Sequence, residues 1–126
     1  MSASEPVGLI AGNGQFPLLF AQAARDRGVQ VVAVAMEGET NPDIRELVDV
    51  CEFVKVGQLG KMIKFFQKQS VTKAAMAGGV RKTRLFEGAR PDLTALKLLA
   101  QSAMRKDDGM LRAVANEFEA KGITII

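Results

Sequence analysis

The chain of 126 residues contains no histidine, no tryptophan and no tyrosine, and its single cysteine is Cys51. Without histidine, the common zinc ligand sets and the most frequent general base are missing. One thiol can neither close an internal disulfide nor hold a metal cluster. Catalysis by this sequence would have to rest on carboxylates, lysines or a bound metal. No apolar stretch approaches the length of a membrane-crossing helix, and Met1 to Pro6 lacks the basic-then-apolar pattern of a secretory leader. A cytoplasmic protein is therefore expected. Nucleic acid is a poor partner, because the aromatics are reduced to seven phenylalanines, mostly in core-like positions. No Gly-x-x-x-x-Gly-Lys-Ser/Thr loop occurs, so a Walker-type phosphate cradle is ruled out.

What is present is enough for one domain with a single core. The net charge of +3 is unevenly spread: residues 1–50 carry −4, residues 51–90 carry +7, and residues 91–126 are neutral. The basic excess comprises Lys55, Lys61, Lys64, Lys68, Lys73, Arg81, Lys82, Arg84 and Arg90. Such a block favours an anionic ligand or the headgroups of an acidic membrane surface. Lys61, Lys64 and Lys68 fit equally well as the solvated face of a helix.

The most informative stretch is Pro6 to Pro17, an apolar run that breaks into Gly12-Asn13-Gly14 and then enters a helical pattern. Strand, glycine turn and helix start form a corner where backbone amides can meet an anion, above all a phosphate. The dinucleotide fingerprint Gly-x-Gly-x-x-Gly is matched at Gly12 and Gly14, but Pro17 occupies the third position. Proline suits the first turn of a helix and cannot act as the close-packing glycine.

Further along, Phe16, Leu19, Phe20, Ala23 and Ala24 recur at helical spacing up to a stop at Gly28. Val29 to Met36 is a near-continuous β-branched and alanine run, as expected of a strand buried on both faces. Glu37 or Glu39 follows it, and Glu37 is placed where a nicotinamide-binding domain holds a ribose hydroxyl. Asn41-Pro42-Asp43 opens a short helix within residues 38–49, Glu52 to Val56 gives a third strand, and Leu59, Met62, Ile63 and Phe66 define the core face of the next helix. Thr72 to Ala77 is a fourth strand running straight into Gly78-Gly79.

Pro91 and Asp92 start another helix, with Leu93, Leu96, Ala100 and Ala103 expected inward. Asp107-Asp108 either caps the next helix or, as paired carboxylates, binds a divalent metal; that helix carries Leu111, Val114, Ala115 and Phe118 and stops at Gly122. Ile123 to Ile126 supplies a fifth strand.

These elements predict an α/β fold, a Rossmann-like doubly wound parallel sheet of about five strands in the order 3-2-1-4-5 with helices on both faces. In that order the first and fourth strands are neighbours, and both glycine turns open at the topological switch point. Gly12, Asn13, Gly14 and Gln15 would then line one crevice with Gly78, Gly79, Val80, Arg81 and Lys82. Guanidinium and ammonium groups after the second turn suit phosphate oxygens.

Four segments carry a resemblance that spans essentially the whole chain: Gly8 to Pro17, Gly57-Gln58-Leu59-Gly60-Lys61, Ala77 to Lys82, and Lys106 to Arg112. Through them the sequence resembles the N-terminal part of the UDP-2,3-diacylglucosamine pyrophosphatases of the lipid A pathway, the LpxI family. The resemblance implies a Rossmann-like N-terminal domain and a separate C-terminal domain that bears the catalytic aspartate. It also implies hydrolysis of UDP-2,3-diacylglucosamine to UMP and 2,3-diacylglucosamine 1-phosphate with a divalent metal such as Mg²⁺. No position here matches that aspartate, so the expectation is a nucleotide-binding half without turnover of its own. The UDP portion is expected at Gly12 to Gln15, the phosphates near Gly78 to Lys82, and the sugar or a metal-bound water near Asp107 and Asp108. The partners implied are the UDP-linked diacylated glucosamine, a peripheral contact with the inner membrane surface and a second copy in a homodimer. A stand-alone module binding a nucleotide or NAD through the same crevice is the alternative.

Overall fold

The computed structural model describes residues 5–79, 91–102 and 109–126. Five parallel strands form one sheet in the order β3-β2-β1-β4-β5. They are β1 (Val7–Ala11), β2 (Val31–Met36), β3 (Val50–Val54), β4 (Lys73–Ala77) and β5 (Thr124–Ile125). The helices are α1 (Phe16–Asp26), α2 (Leu59–Lys68), α3 (Leu93–Ser102) and α4 (Gly109–Ala120), and a 3₁₀ helix covers Pro42–Glu46. The expected doubly wound order is therefore present. β3 begins and ends two residues earlier than Glu52 to Val56, because Val56 is buried from the loop beyond the strand rather than from the ladder.

Alternation along the strands divides the interior into two clusters. On one face Ile10, Val32, Val34, Val54 and Ala74 pack with Met62, Ile63 and Phe66 of α2 and Phe118 of α4. The Phe66 and Phe118 rings lie 6.3 Å apart in a tilted arrangement, and each is fully buried. Removing either would cost about 3–5 kcal/mol. The other face is lined by small residues: Ala11, Ala33, Ala35 and Ala77 meet Ala21 of α1, with Leu9 and Ile44 beside them.

The small-residue face turns α1 differently from its apolar spacing. Pro17 and Ala21 are buried, whereas Phe16 and Leu19 are 61% and 60% exposed and Ala23 faces solvent. An alanine-lined sheet admits a helix most closely through small side chains, so Pro17 and Ala21 take the centre of the contact and Leu18 and Phe20 pack half-buried at its sides. α3 departs similarly. Ala95 and Leu98 are buried, while Leu93 and Leu96 are 84% and 49% exposed, since α3 packs on α2 and α4 rather than directly on the sheet. Ala103 lies outside the described residues and the side chain of Ala100 is not described.

Three helices end in the same way. Val29, Val71 and Ile123 each donate from the backbone to a carbonyl five residues back, on Ala24, Phe66 and Phe118. The residue before each has positive φ, and at the end of α2 that residue is Ser70, φ 62°. A Cβ in the left-handed region costs about 1 kcal/mol relative to glycine. Ser70→Gly is accordingly expected to raise stability by about 0.5–1 kcal/mol in urea unfolding, and a loss of stability would show that Ser70 is not under strain.

Cys51 of β3 is half-buried. Burial pushes its thiol above the ordinary value, although Arg45 opposes the shift, so it stays neutral at physiological pH. Arg45 also lies 4.3 Å over the Phe53 ring and covers that edge of the sheet. No helix among the described residues is long and apolar enough to cross a membrane.

Candidate functional site

The register of the three central strands builds the site. Ala11 of β1 pairs with Ala35 of β2 and with Ala77 of β4, so these strands finish nearly flush and the loops after them leave side by side. In a doubly wound sheet this is the switch point, where ligands bind beyond the carboxyl ends of the strands.

The two glycine turns meet there directly. Gly12 donates its N–H to the Ala77 carbonyl at 2.8 Å, and Asn13 donates to the Gly79 carbonyl at 2.8 Å. A Cβ on Gly12 would stand 2.4 Å from the Gly79 oxygen, and one on Gly78, whose φ is 85°, would stand 2.4 Å from the Asn13 oxygen. Glycine at these two positions is therefore required by the contact of one backbone with the other. The close approach that the fingerprint reserves for a pyrophosphate is, at Gly12, an approach to β4.

Side chains lace the corner further. The Asn13 amide donates to Glu39 Oε2 at 2.9 Å, and the Gly79 N–H donates to Asn13 Oδ1 at 3.1 Å. The Thr40 hydroxyl donates to the Ala11 carbonyl at 2.7 Å and accepts from the Met36 N–H at 2.8 Å. Glu39 and Thr40 are the buried polar residues of the described chain, 8% and 6% exposed, and both belong to this corner. Charged and polar groups are buried only where directed bonds repay their desolvation.

The open donors lie one step further on. Among the described residues, the amides of Gly14, Gln15 and Phe16 have no hydrogen-bond partner. Gln15 precedes α1 without a side-chain cap, and the first turn of α1 carries no acid. Among the described residues, no side chain caps the N-terminal end of that helix dipole. α2 contrasts with it, because Asp92 Oδ2 accepts from the Gly60 N–H at 2.7 Å and the Lys61 N–H at 3.3 Å. The second glycine-bearing helix start is already filled from within the chain.

Of the expected site residues, the structure brings together Gly12, Asn13, Gly14, Gln15, Gly78 and Gly79. Val80, Arg81, Lys82, Arg84, Arg90, Asp107 and Asp108 lie outside the described residues. Glu37 is exposed, pairs with Lys55 at 3.6 Å and donates its backbone N–H to Val54 on the β3 side. The carboxylate beside the glycine corner is that of Glu39, two residues later. Sequence reasoning weighed both acids and favoured Glu37 by its distance from the glycines. The signal that separates them is the glycine between, Gly38, with φ 80°, which folds the loop back so that Glu39 and Thr40 both donate their amides to the Met36 carbonyl.

Among the described residues no group of three acidic, histidine or cysteine side chains is placed to hold a metal ion. A cleft of about 190 Å³ lies elsewhere, at the amino ends of the strands, between Arg25, Val29, Leu47 and Asp49. Its charged groups are already engaged, Arg25 with the Glu46 carbonyl and Asp49 with the Val31 amide. The flush carboxyl ends of β2, β1 and β4 are therefore the better candidate.

A profile of the LpxI N-terminal domain matches residues 6–126, nearly the whole chain. The chain belongs to that family. The UDP-2,3-diacylglucosamine pyrophosphatase LpxI of Caulobacter vibrioides is 29% identical over 122 residues. That match covers 94% of this chain and 42% of the relative, so this LpxI N-terminal domain spans well under half of the relative's length. Among solved structures, it is similar to the biotin carboxylase domain of a thermophilic 2-oxoglutarate carboxylase bound to ADP, with TM-score 0.56 and 17% identity over 94% of this chain and 22% of that one. The biotin carboxylase subunit of pyruvate carboxylase matches with TM-score 0.56 and 15% identity, over 97% and 22% of the two chains. At such identity these structures show that the LpxI domain shares their fold, and nothing about its ligand.

Proposed function

We propose that this chain is the nucleotide-binding half of a UDP-2,3-diacylglucosamine pyrophosphatase of lipid A biosynthesis, which yields UMP and 2,3-diacylglucosamine 1-phosphate. One observation carries the reading: at the switch point, the amides of Gly14, Gln15 and Phe16 have no partner among the described residues and stand at a helix start without a side-chain cap. Phosphoanhydride hydrolysis builds negative charge on the phosphate oxygens, and preorganised donors stabilise that charge without needing a histidine. Water supplies the new oxygen on phosphorus, and the bond to the bridging oxygen breaks. This chain's part is to hold the UDP portion at Gly14 and Gln15, with Arg81 and Lys82, which follow Gly79 closely in sequence, on the phosphates. The exposed Phe16 and Leu19 beside the same amides suit a ligand that joins a polyanion to acyl chains.

The described residues do not fit a resident divalent ion, and no step is routed through one here. In this reading Mg²⁺, the catalytic carboxylate and most of the acyl-chain site belong to the further length seen in the relative. Turnover then requires both parts.

Titration of the chain with UMP, UDP and NAD by calorimetry tests the proposal. UMP and UDP are expected to bind with a Kd of about 1 mM or tighter, NAD more weakly, and UDP-2,3-diacylglucosamine is expected to survive prolonged incubation with the chain alone. Binding of NAD in preference to UMP would overturn the assignment, and turnover by the isolated chain would overturn the division of labour.

A further inference from the structure

We infer that Glu39 is a positioning residue: acting through Asn13, it fixes the gap between the two glycine corners and so the affinity of the crevice. The effect on ligand affinity rests on the nucleotide-binding reading, whereas the effect on the corner itself does not.

Asn13 links the two corners through its side chain. Its side chain has one accepting and one donating end, and the neighbours on either side are of opposite kinds. Gly79 presents an N–H at 3.1 Å from Oδ1, and Glu39 presents a carboxylate oxygen at 2.9 Å from Nδ2. Only one of the two orientations of the amide satisfies both. Glu39 therefore selects the rotamer that offers an acceptor to Gly79. With the Asn13 backbone N–H bonded to the Gly79 carbonyl, both polar groups of the Gly79 main chain are held by one residue.

The tie spans three adjacent strands: Glu39 follows β2, Asn13 follows β1 and Gly79 follows β4. Gly79 is thereby fixed through both its N–H and its carbonyl. Glu39 is 8% exposed. A carboxylate held so far from water is costly to keep, and a directed bond to a corner residue is a reason to keep it there. The tie leaves the Gly14, Gln15 and Phe16 amides uncommitted, so positioning and ligand contact fall to different groups.

The experiment compares Glu39→Gln, Glu39→Leu, Asn13→Ala and the double variant Glu39→Leu/Asn13→Ala in the intact 126-residue chain. Two readouts are taken: hydrogen exchange of the Gly79 amide without ligand, and UMP and UDP affinity. Glutamine can still accept from Asn13 Nδ2, so Glu39→Gln is expected to keep Gly79 protected and the affinity within about threefold of the parent. Glu39→Leu and Asn13→Ala are each expected to deprotect Gly79 and to weaken binding about tenfold or more. The double variant is expected to be no worse than Asn13→Ala alone, since both act through one bond chain.

Loss in Glu39→Gln equal to that in Glu39→Leu would overturn the inference, because it would show that the charge of Glu39 matters and not its bond to Asn13. Unchanged Gly79 protection in Glu39→Leu, or additive losses in the double variant, would overturn it as well. Should the parent chain bind neither UMP nor UDP while Gly79 exchange responds as expected, the nucleotide reading fails and the effect on affinity fails with it, leaving Glu39 as the residue that positions Gly79.

Discussion

Gly12→Ala is expected to destabilise the domain by about 3 kcal/mol, and Gly78→Ala by more. In Gly12→Ala the new Cβ meets the Gly79 oxygen and nitrogen at 2.4 and 2.7 Å, and both are backbone atoms of a neighbouring strand's loop. Relief requires moving β1 and β4 apart, which breaks the bonds from Gly12 to Ala77 and from Asn13 to Gly79. In Gly78→Ala the clash with the Asn13 oxygen is combined with a φ of 85° that a Cβ disfavours. Gly14→Ala provides the control, because Gly14 has φ 86° and nothing within 4 Å of an added Cβ. It should show backbone strain alone, about 1–2 kcal/mol. Urea unfolding of the three variants checks the ranking Gly78, Gly12, Gly14. Equal losses at Gly12 and Gly14 would mean that the two corners do not touch as described.

The second large effect is expected at Asp92. Its carboxylate closes two helix starts at once: Oδ2 accepts from Gly60 and Lys61 at the head of α2, and Oδ1 accepts from Ala95 in the first turn of α3. Capping residues contribute about 1 kcal/mol each, and the charge adds a favourable term at the positive end of each helix dipole. Asp92→Ala is expected to cost about 2–3 kcal/mol and to lower Tm by roughly 8–12 °C. Asp92→Asn should fall between the two, keeping an acceptor and losing the charge. A loss in Asp92→Ala of less than about 0.5 kcal/mol, the range of an ordinary surface substitution, would contradict the double cap. The same carboxylate explains Gly60, since a Cβ there would lie 2.9 Å from Thr94 Oγ1 and 3.1 Å from Asp92 Oδ2.

The layering of the fold was legible because β2 reads Val-Val-Ala-Val-Ala-Met, a run that only a strand covered on both sides explains. Once the first and fourth strands were placed at the centre, the meeting of Gly12 with Gly78-Gly79 followed from topology. What the sequence could not convey was pairing across long separations. Asp92 reaches Gly60 from 32 residues away, and nothing in either segment announces the other. The phase of α1 differs for a related reason: Phe16 and Leu19 favour burial taken singly, but the helix lies on Ala11, Ala33 and Ala35 through Pro17 and Ala21, with Leu18, Phe20 and Ala24 half-buried beside them. Of the two acids after β2, counting from the glycines favours Glu37, because it ignores the reversal at Gly38.

The order of the strands also governs when the crevice can come into being. Asn13 and Gly79 are 66 residues apart, and β1 and β2 are synthesised before β4. Until then β1 is an open edge and the turn at Gly12 has nothing to lean on. The joined corner should therefore form late in translation, in the step that docks β4 against β1.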